Sequence, residues 1–340
     1  MSDPTIVIVE AVRTPIGSIC GSLSSVKSHE LGTAVIKELL LRTKLPSSAI
    51  SEVIMGQVLT AGAGQNPARQ SAINAGIPIT VPAYTINQLC GSGLKSVFLG
   101  YQSIKAGETS IVICGGQESM SMAPHCVLMR KSVKMGNTPL VCTLTTDGLT
   151  DAFNSIHMGL TAENIAQEFN ISRKEQDLFA AKSQNKTEAA QKQGYFDKEI
   201  DGTVTAGNAS GLNDGAAGVI LMTLDEARKQ NLVPKVKIIG FGQAGLEPKV
   251  MGLGPIPAIK NLLNEAFAAQ SIAVVRELGI DEEKVNISGG AIALGHPVGA
   301  SGARVLVTLI YALQRTGKSK GIAALCIGGG MGIAIAVERI

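Results

Sequence analysis

The stretch "NQLCGSGLKSV" (87–97) sets one cysteine, Cys90, between an apolar run and three small residues, after which apolar side chains recur at helical spacing. "AYTINQLC" reads as a strand that ends at the thiol. A helix from about Gly93 to Ala106 buries Leu94, Val97, Phe98, Tyr101 and Ile104 and stops at Gly107. A lone cysteine is most often a small buried apolar residue. Here Gly91 and Gly93 remove bulk around the sulfur, and the free N–H groups of a helix start favour negative charge beside it. That context lowers a thiol's pKa and makes a nucleophile.

Working outward, strand and helix alternate on both sides. "TIVIVEAVRT" is a continuous apolar run, as a strand covered on both faces requires. A helix over Leu31 to Leu41, a strand "SEVIMGQVL", and the strand "SIVICGG" after the Cys90 helix complete one unit. The order returns near the C-terminus. "KVKIIGFGQAG" opens it, "VNISGGAIALGH" reads as a strand ending at His296, and "GASGARVLVTLIYALQRTG" is the helix. "IAALCIGGGMGIAIAVE" is the closing strand pair. Two βαβ units facing each other about a pseudo-twofold are expected, with a mostly parallel sheet in each. The second copy lacks one member: "IPAIKNLL" runs straight into "NEAFAAQSIAVVRELG", with no strand to match "SEVIMGQVL".

The expected division is an N-terminal half over 1–116, completed by about 209–224, a loop insertion over 117–208, and a C-terminal half over 225–340. The insertion is more polar. Its helix after Ser172 carries a capping box with Glu175 and ends at Gly194.

The pseudo-twofold would bring two helix starts together, and with them Cys90 and His296. Pro297 follows the histidine and is pre-organised for a helix start. A histidine beside a thiol is the usual means of taking its proton. Cys326 ends a strand before Gly328, Gly329 and Gly330; three glycines there suit close approach of backbone N–H groups to an oxyanion. Two thiols and an imidazole in one pocket suggest more than hydrolysis. No fourth ligand supports zinc as the reason for Cys90, His296 and Cys326, so no metal is expected. "GFGQAG" (240–245) matches a dinucleotide fingerprint but leads into "LEPKVMGLGPIP", which is no helix for a pyrophosphate.

Composition narrows the class. With 45% hydrophobic and 17% charged residues the chain buries a large core and is not disordered. A net charge of +3 with scattered basic residues and few aromatics is no nucleic-acid surface. The six cysteines form no C-x-x-C pair and read as reduced thiols. No signal or transit peptide opens the chain, and the uncharged run from Gly321 to Val337 reads as strands, not a membrane span. A cytoplasmic protein with no membrane or nucleic-acid partner is expected.

The motifs "NQLCGSGLKSV", "GGQESMSMAPH", "NASGLNDGAA", "NEAFAA", "GGAIALGHPVGASG" and "CIGGGMG" resemble those of the thiolase family, in the same order and over essentially the whole chain. The resemblance implies layered αβαβα architecture and condensation of two acetyl-CoA to acetoacetyl-CoA and CoA, with no cofactor beyond the coenzyme A thioesters themselves. It implies that Cys90 carries the acetyl group, that His296 activates it, and that Cys326 removes a methyl proton. N–H groups of Cys90 and Gly328 would form an oxyanion hole. Asn264 would hold a water beside His296, while His157, Met158, Ser210, Ala266 and Phe267 would line the coenzyme A site. A dimer or tetramer is implied. Two departures stand out: the family's basic segment is absent between "FDKEI" and "DGTVTAGNAS", and so is the strand before Asn264. These raise the alternative of an impaired or inactive homologue serving only as an assembly subunit.

Overall fold

The computed structural model describes residues 4–130, 135–200, 211–259 and 268–340. Ser210, Asn264, Ala266 and Phe267 lie outside the described residues. The first unit comprises β1 (Ile6–Arg13), a short β2 (Gly17–Ser18), α1 (Ser28–Thr43), β3 (Glu52–Gly56), α2 (Pro67–Asn74), β4 (Ala83–Ile86), α3 (Ser92–Ala106) and β5 (Ile111–Ser119). The insertion adds a small β6–β7 pair (His125–Cys126, Val141–Cys142), α4 (Met158–Glu168) and α5 (Arg173–Lys192). Then come β8 (Asn213–Thr223), α6 (Leu224–Lys229), β9 (Val236–Gly245), α7 (Pro255–Ile259) and α8 (Ala268–Leu278). The chain closes with α9 (Ala291–Leu294), α10 (Ser301–Thr316), β10 (Lys320–Ile327) and β11 (Met331–Arg339).

The strands hydrogen-bond in the order β10-β11-β9-β1-β8-β5-β3-β4, with β2 on β8. In the first half β1, β5, β3 and β4 run the same way and β8 lies antiparallel between β5 and β1. The second half repeats part of this: β9 and β10 run together with β11 antiparallel between them. So β9 answers β1, β10 answers β5 and β11 answers β8. The halves join along β1–β9, where Val7 pairs Lys237 and Ile8 pairs Val236, so the strands form one ladder-linked sheet folded around its helices.

The layers follow from which faces are apolar. β5 is buried at every residue and β8 at all but its last, in keeping with the apolar and small residues of Ile111–Gly116 and Gly215–Met222; the polar ends Gln117–Glu118 and Asn213–Asp214 are buried as well. α1 and α2 cover the outer face of the first half around Val35, Ile36, Leu39 and Ala72. α3 and α10 fill the space between the halves, with Leu94, Val97, Leu306 and Ile310 in one core with strands of both. α7 lies on the far side, against β9 and β11. The α/β layering and the duplication expected from the sequence are both present.

The C-terminal sheet differs from expectation by one strand. Among the described residues nothing answers β3. The segment 285–296, expected as a strand, holds turns and the short α9 instead. The first half explains why. β4 pairs only with β3, so without a β3 counterpart the equivalent of β4 has no ladder to join.

α3 and α10 touch backbone to backbone. A Cβ on Gly93 would lie 2.8 Å from Ala303 N, and one on Gly302 would lie 2.3 Å from Leu94 N. These glycines hold equivalent places in the two copies, so the duplication itself sets the contact. Gly302→Val is expected to lower stability by about 1–3 kcal/mol, the usual cost of overpacking, read as the urea midpoint.

Candidate active site

Each functional side chain sits where an element begins or ends at that helix crossing. β4 stops at Ile86 and α3 starts at Ser92, so Cys90 rides in a five-residue loop, 87–91. Leu89, just before it, holds a left-handed φ of 46°, a strain kept where the surroundings enforce it. They do so here. Leu89 N–H donates to Asn87 Oδ1 at 2.9 Å, Ser92 Oγ accepts from Gln88 N–H at 2.8 Å, and the same hydroxyl donates to Leu89 O at 2.7 Å. Gly91 lets the loop lie on the end of β10: a Cβ there would meet Ile327 Cδ1 at 2.3 Å.

Cys326 and Gly328 therefore come to Cys90 from the end of β10. The backbone N–H groups of Gly328 and Cys90 favour the Cys90 thiolate, and the Cys90 charge in turn disfavours that of Cys326. Cys90 is half-buried and Cys326 buried. The sequence led us to expect a lowered pKa for Cys90. Burial instead pushes it up to about 11, against the pull of those N–H groups, and the Glu118 carboxylate adds to the rise. Desolvation of the charged form outweighs the helix start here. Burial raises Cys326 further still, with Cys90 contributing.

His296 lies just before α10. Its N–H donates to Asn213 Oδ1 at 2.7 Å, and Asn213 Nδ2 donates to Gly17 O at 3.0 Å. The ring Nδ1 is 2.7 Å from Ser301 Oγ, which also lies 2.9 Å from Pro297 O as a donor. A hydroxyl has one proton. With that proton on Pro297 O, Nδ1 carries the imidazole hydrogen and donates it to Ser301, leaving Nε2 with a bare lone pair. Burial, then the Arg304 charge, holds the ring down to about 4, so it is neutral near pH 7. The start of its helix abuts that of Cys90: a Cβ on Gly93 would lie 3.1 Å from Gly299 O. Cys90, Cys326 and Gly328 are thus brought together, with His296 on the adjoining helix start.

The coenzyme A expectations divide. Met158 is buried against Met251 and Cys326. His157 is exposed, and its Nδ1 accepts from Gly159 N–H at 3.0 Å, capping α4. Ser210, Ala266 and Phe267, with Asn264, lie outside the described residues. Among the described residues no group of His, Cys, Asp and Glu side chains is arranged to hold a metal, and no helix is long and apolar enough to cross a membrane.

Residues 6–200 match the family model of the thiolase N-terminal domain, and residues 232–339 that of the thiolase C-terminal domain. The chain belongs to the thiolase family. It is 50% identical to cytosolic acetyl-CoA acetyltransferase of Mus musculus, covering 99% of each chain. It is 49% identical to acetyl-CoA acetyltransferase of Rhizobium meliloti, covering 100% of each. The crystal structure of the Bacillus anthracis acetyl-CoA acetyltransferase superposes with a TM-score of 0.94 at 37% identity, over 99% of both chains. The mouse alignment spans 393 positions against 340 residues here, so more than fifty positions of that relative face no residue of this thiolase.

The thiolase site also uses residues to which the sequence reading gave no role. Glu118, at the end of β5, is fully buried. Its Oε2 accepts from Val58 and Gly299 N–H, both at 2.9 Å, and its Oε1 from Leu59 N–H at 3.2 Å. One carboxylate so ties the loop after β3 to the turn that carries His296. Burial raises it to about 7. Asn213 and Ser301 hold the histidine as described. Glu118 and Asn213 fell within quoted motifs; the available signal was a lone acid closing an apolar strand.

Glu118→Ala would leave these buried N–H groups unpaired and is expected to cost about 3 kcal/mol or more in urea unfolding. His296 gives a pH signature. Its folded pKa lies below its unfolded value of 6.5, so the unfolded chain binds the extra proton between pH 6.5 and about 4. Stability should therefore fall as pH falls through that window. Glu118, raised from 4.5 to about 7, slopes the other way. The stability difference between the native chain and His296→Gln, measured from pH 7 to 4, isolates the histidine and should shift toward the variant as pH falls.

Proposed function

We propose that this thiolase is an acetyl-CoA C-acetyltransferase that condenses two acetyl-CoA to acetoacetyl-CoA and CoA, reversibly, through an acetyl-Cys90 intermediate. The observation that carries the proposal is that the Cys90 loop lies on the end of β10, which brings the Cys90 thiol within electrostatic reach of the Gly328 N–H and of a second, buried thiol, Cys326. A nucleophile, two donors for an oxyanion and a second proton carrier in one dry pocket suit acyl transfer to carbon.

The steps balance as follows. Nε2 of His296 takes the Cys90 proton as the sulfur bonds to the acetyl carbon. The bond to the coenzyme A sulfur breaks, and the departing thiolate takes the Cys326 proton. Cys326, now a thiolate, removes a methyl proton from a second acetyl-CoA. The carbanion attacks acetyl-Cys90, and a C–C bond forms as the C–S bond breaks. Cys90 then recovers its proton from His296. Burial leaves both sulfurs protonated at rest, and each thiolate is a strong base or nucleophile once formed.

Coenzyme A thioesters are the partners of this reaction and no resident cofactor is required. We place the enzyme in the cytoplasm, in keeping with its cytosolic mouse relative. Exposed Leu128, Met129 and Leu140 near the β6–β7 pair favour a homo-oligomer, dimer or tetramer. A second reading rests on the C-terminal sheet, where among the described residues no strand answers β3 or β4: a chain without turnover that only assembles with complete subunits.

Radiolabelled acetyl-CoA should acetylate Cys90 alone, and acetoacetyl-CoA plus CoA should be cleaved. Cys90→Ala should abolish labelling and lower cleavage at least ~10³-fold, the scale on which loss of a nucleophile acts. Cleavage that survives the substitution sinks the Cys90 role. A folded chain with no labelling favours the assembly reading.

A further inference from the structure

One buried amide faces the sulfur of Cys326 and has no part in the steps above. Gln270, in the first turn of α8, is fully buried, and its Oε1 lies 3.9 Å from Cys326 Sγ, which donates to it. Its stem is held by packing: a Cβ on neighbouring Gly252 would meet Gln270 Cγ at 2.8 Å and Ile165 Cδ1 at 2.6 Å. The other groups packed on the thiol, Met158 and Met251, are apolar, and the titratable group acting on it is Cys90. The Gln270 carbonyl is thus the polar atom presented to this sulfur by α8.

We propose that Gln270 is a positioning residue that keeps Cys326 a thiol at rest and strengthens its thiolate as the base for the second substrate. This rests on the acetyl transfer proposed above. A carbonyl oxygen only accepts hydrogen bonds. It welcomes S–H and sets its negative end against S⁻, so it disfavours the ionised form. A base gains strength as its conjugate acid weakens, and a methyl beside a thioester is a weak acid. Gln270 itself makes and breaks no covalent bond. The Cys326 proton leaves with the first coenzyme A, and the methyl proton replaces it on sulfur.

The test is the alkylation rate of Cys326 by iodoacetamide at fixed alkaline pH, mapped by peptide mass spectrometry on the full chain. Gln270→Leu removes the acceptor and should speed alkylation about threefold or more, since thiolate fraction changes tenfold per pKa unit. Gln270→Glu keeps the volume, adds negative charge and should slow it. Loss of packing alone would move both variants the same way. With substrate, Gln270→Leu should reduce deuterium uptake into the acetyl-CoA methyl about tenfold, while Cys90 acetylation changes by less than about threefold. Rates that do not move, or that move together, overturn the proposal. So does slower alkylation in Gln270→Leu, which would mean the amide N–H faces the sulfur. Should Gln270→Leu not fold, the direction of Gln270→Glu decides alone. A native chain that takes no acetyl on Cys90 defeats the acetyl-transfer reading instead, and the alkylation rates still judge the contact.

Discussion

The site depends on two helices meeting without side chains between them. Gly93 and Gly302 let the backbones of α3 and α10 touch, and this closeness sets the distance between the Cys90 loop and the His296 turn. Neither segment could supply the chemistry alone. Cys90 sits on a strained loop from the first copy, and His296 on a turn from the second. Their union follows from duplication, because the two copies present the same glycine to the same neighbour.

Burying these side chains has electrostatic consequences. Burial pushes both thiols up and the imidazole down, so all three rest uncharged near neutral pH. Glu118, raised to about 7, ties the surrounding loops together. Its carboxylate gathers N–H groups from the loop after β3 and from Gly299, groups that would otherwise be buried without partners. The same carboxylate raises Cys90. A group that ties the site together thus also opposes ionisation of the Cys90 thiol.

Much of this was legible in the chain. Strand and helix alternation, the duplication and the glycine stops of α3 and α10 followed from periodicity and composition. Cys90, Cys326 and Gly328 followed from their places at element ends, and the structure gathers them. The pKa of Cys90 was misjudged because a helix-start argument counts local donors and cannot count the water that tertiary packing removes. The strand expected at 285–296 was misjudged for a related reason. Its apolar pattern is real, but a parallel strand exists only with a neighbour, and pairing is a property of the sheet. Glu118, Ser301 and Gln270 were unreadable as partners because each acts on a residue the fold alone brings near.

Among the described residues the second half shows no counterpart of β3 or β4, and the supports of the site lie elsewhere. Cys326 and Gly328 end β10, which β11 holds along its whole length. His296 is fixed by Asn213 at the start of β8, by Ser301 on its own helix and by Glu118 through Gly299. None of these supports runs through a counterpart of β3 or β4. In the first half β4 leads directly into the Cys90 loop, but in the second the corresponding duty has passed to hydrogen bonds from β5 and β8 of the other half. The C-terminal half can therefore present its histidine on a shortened sheet, because the first half carries the load.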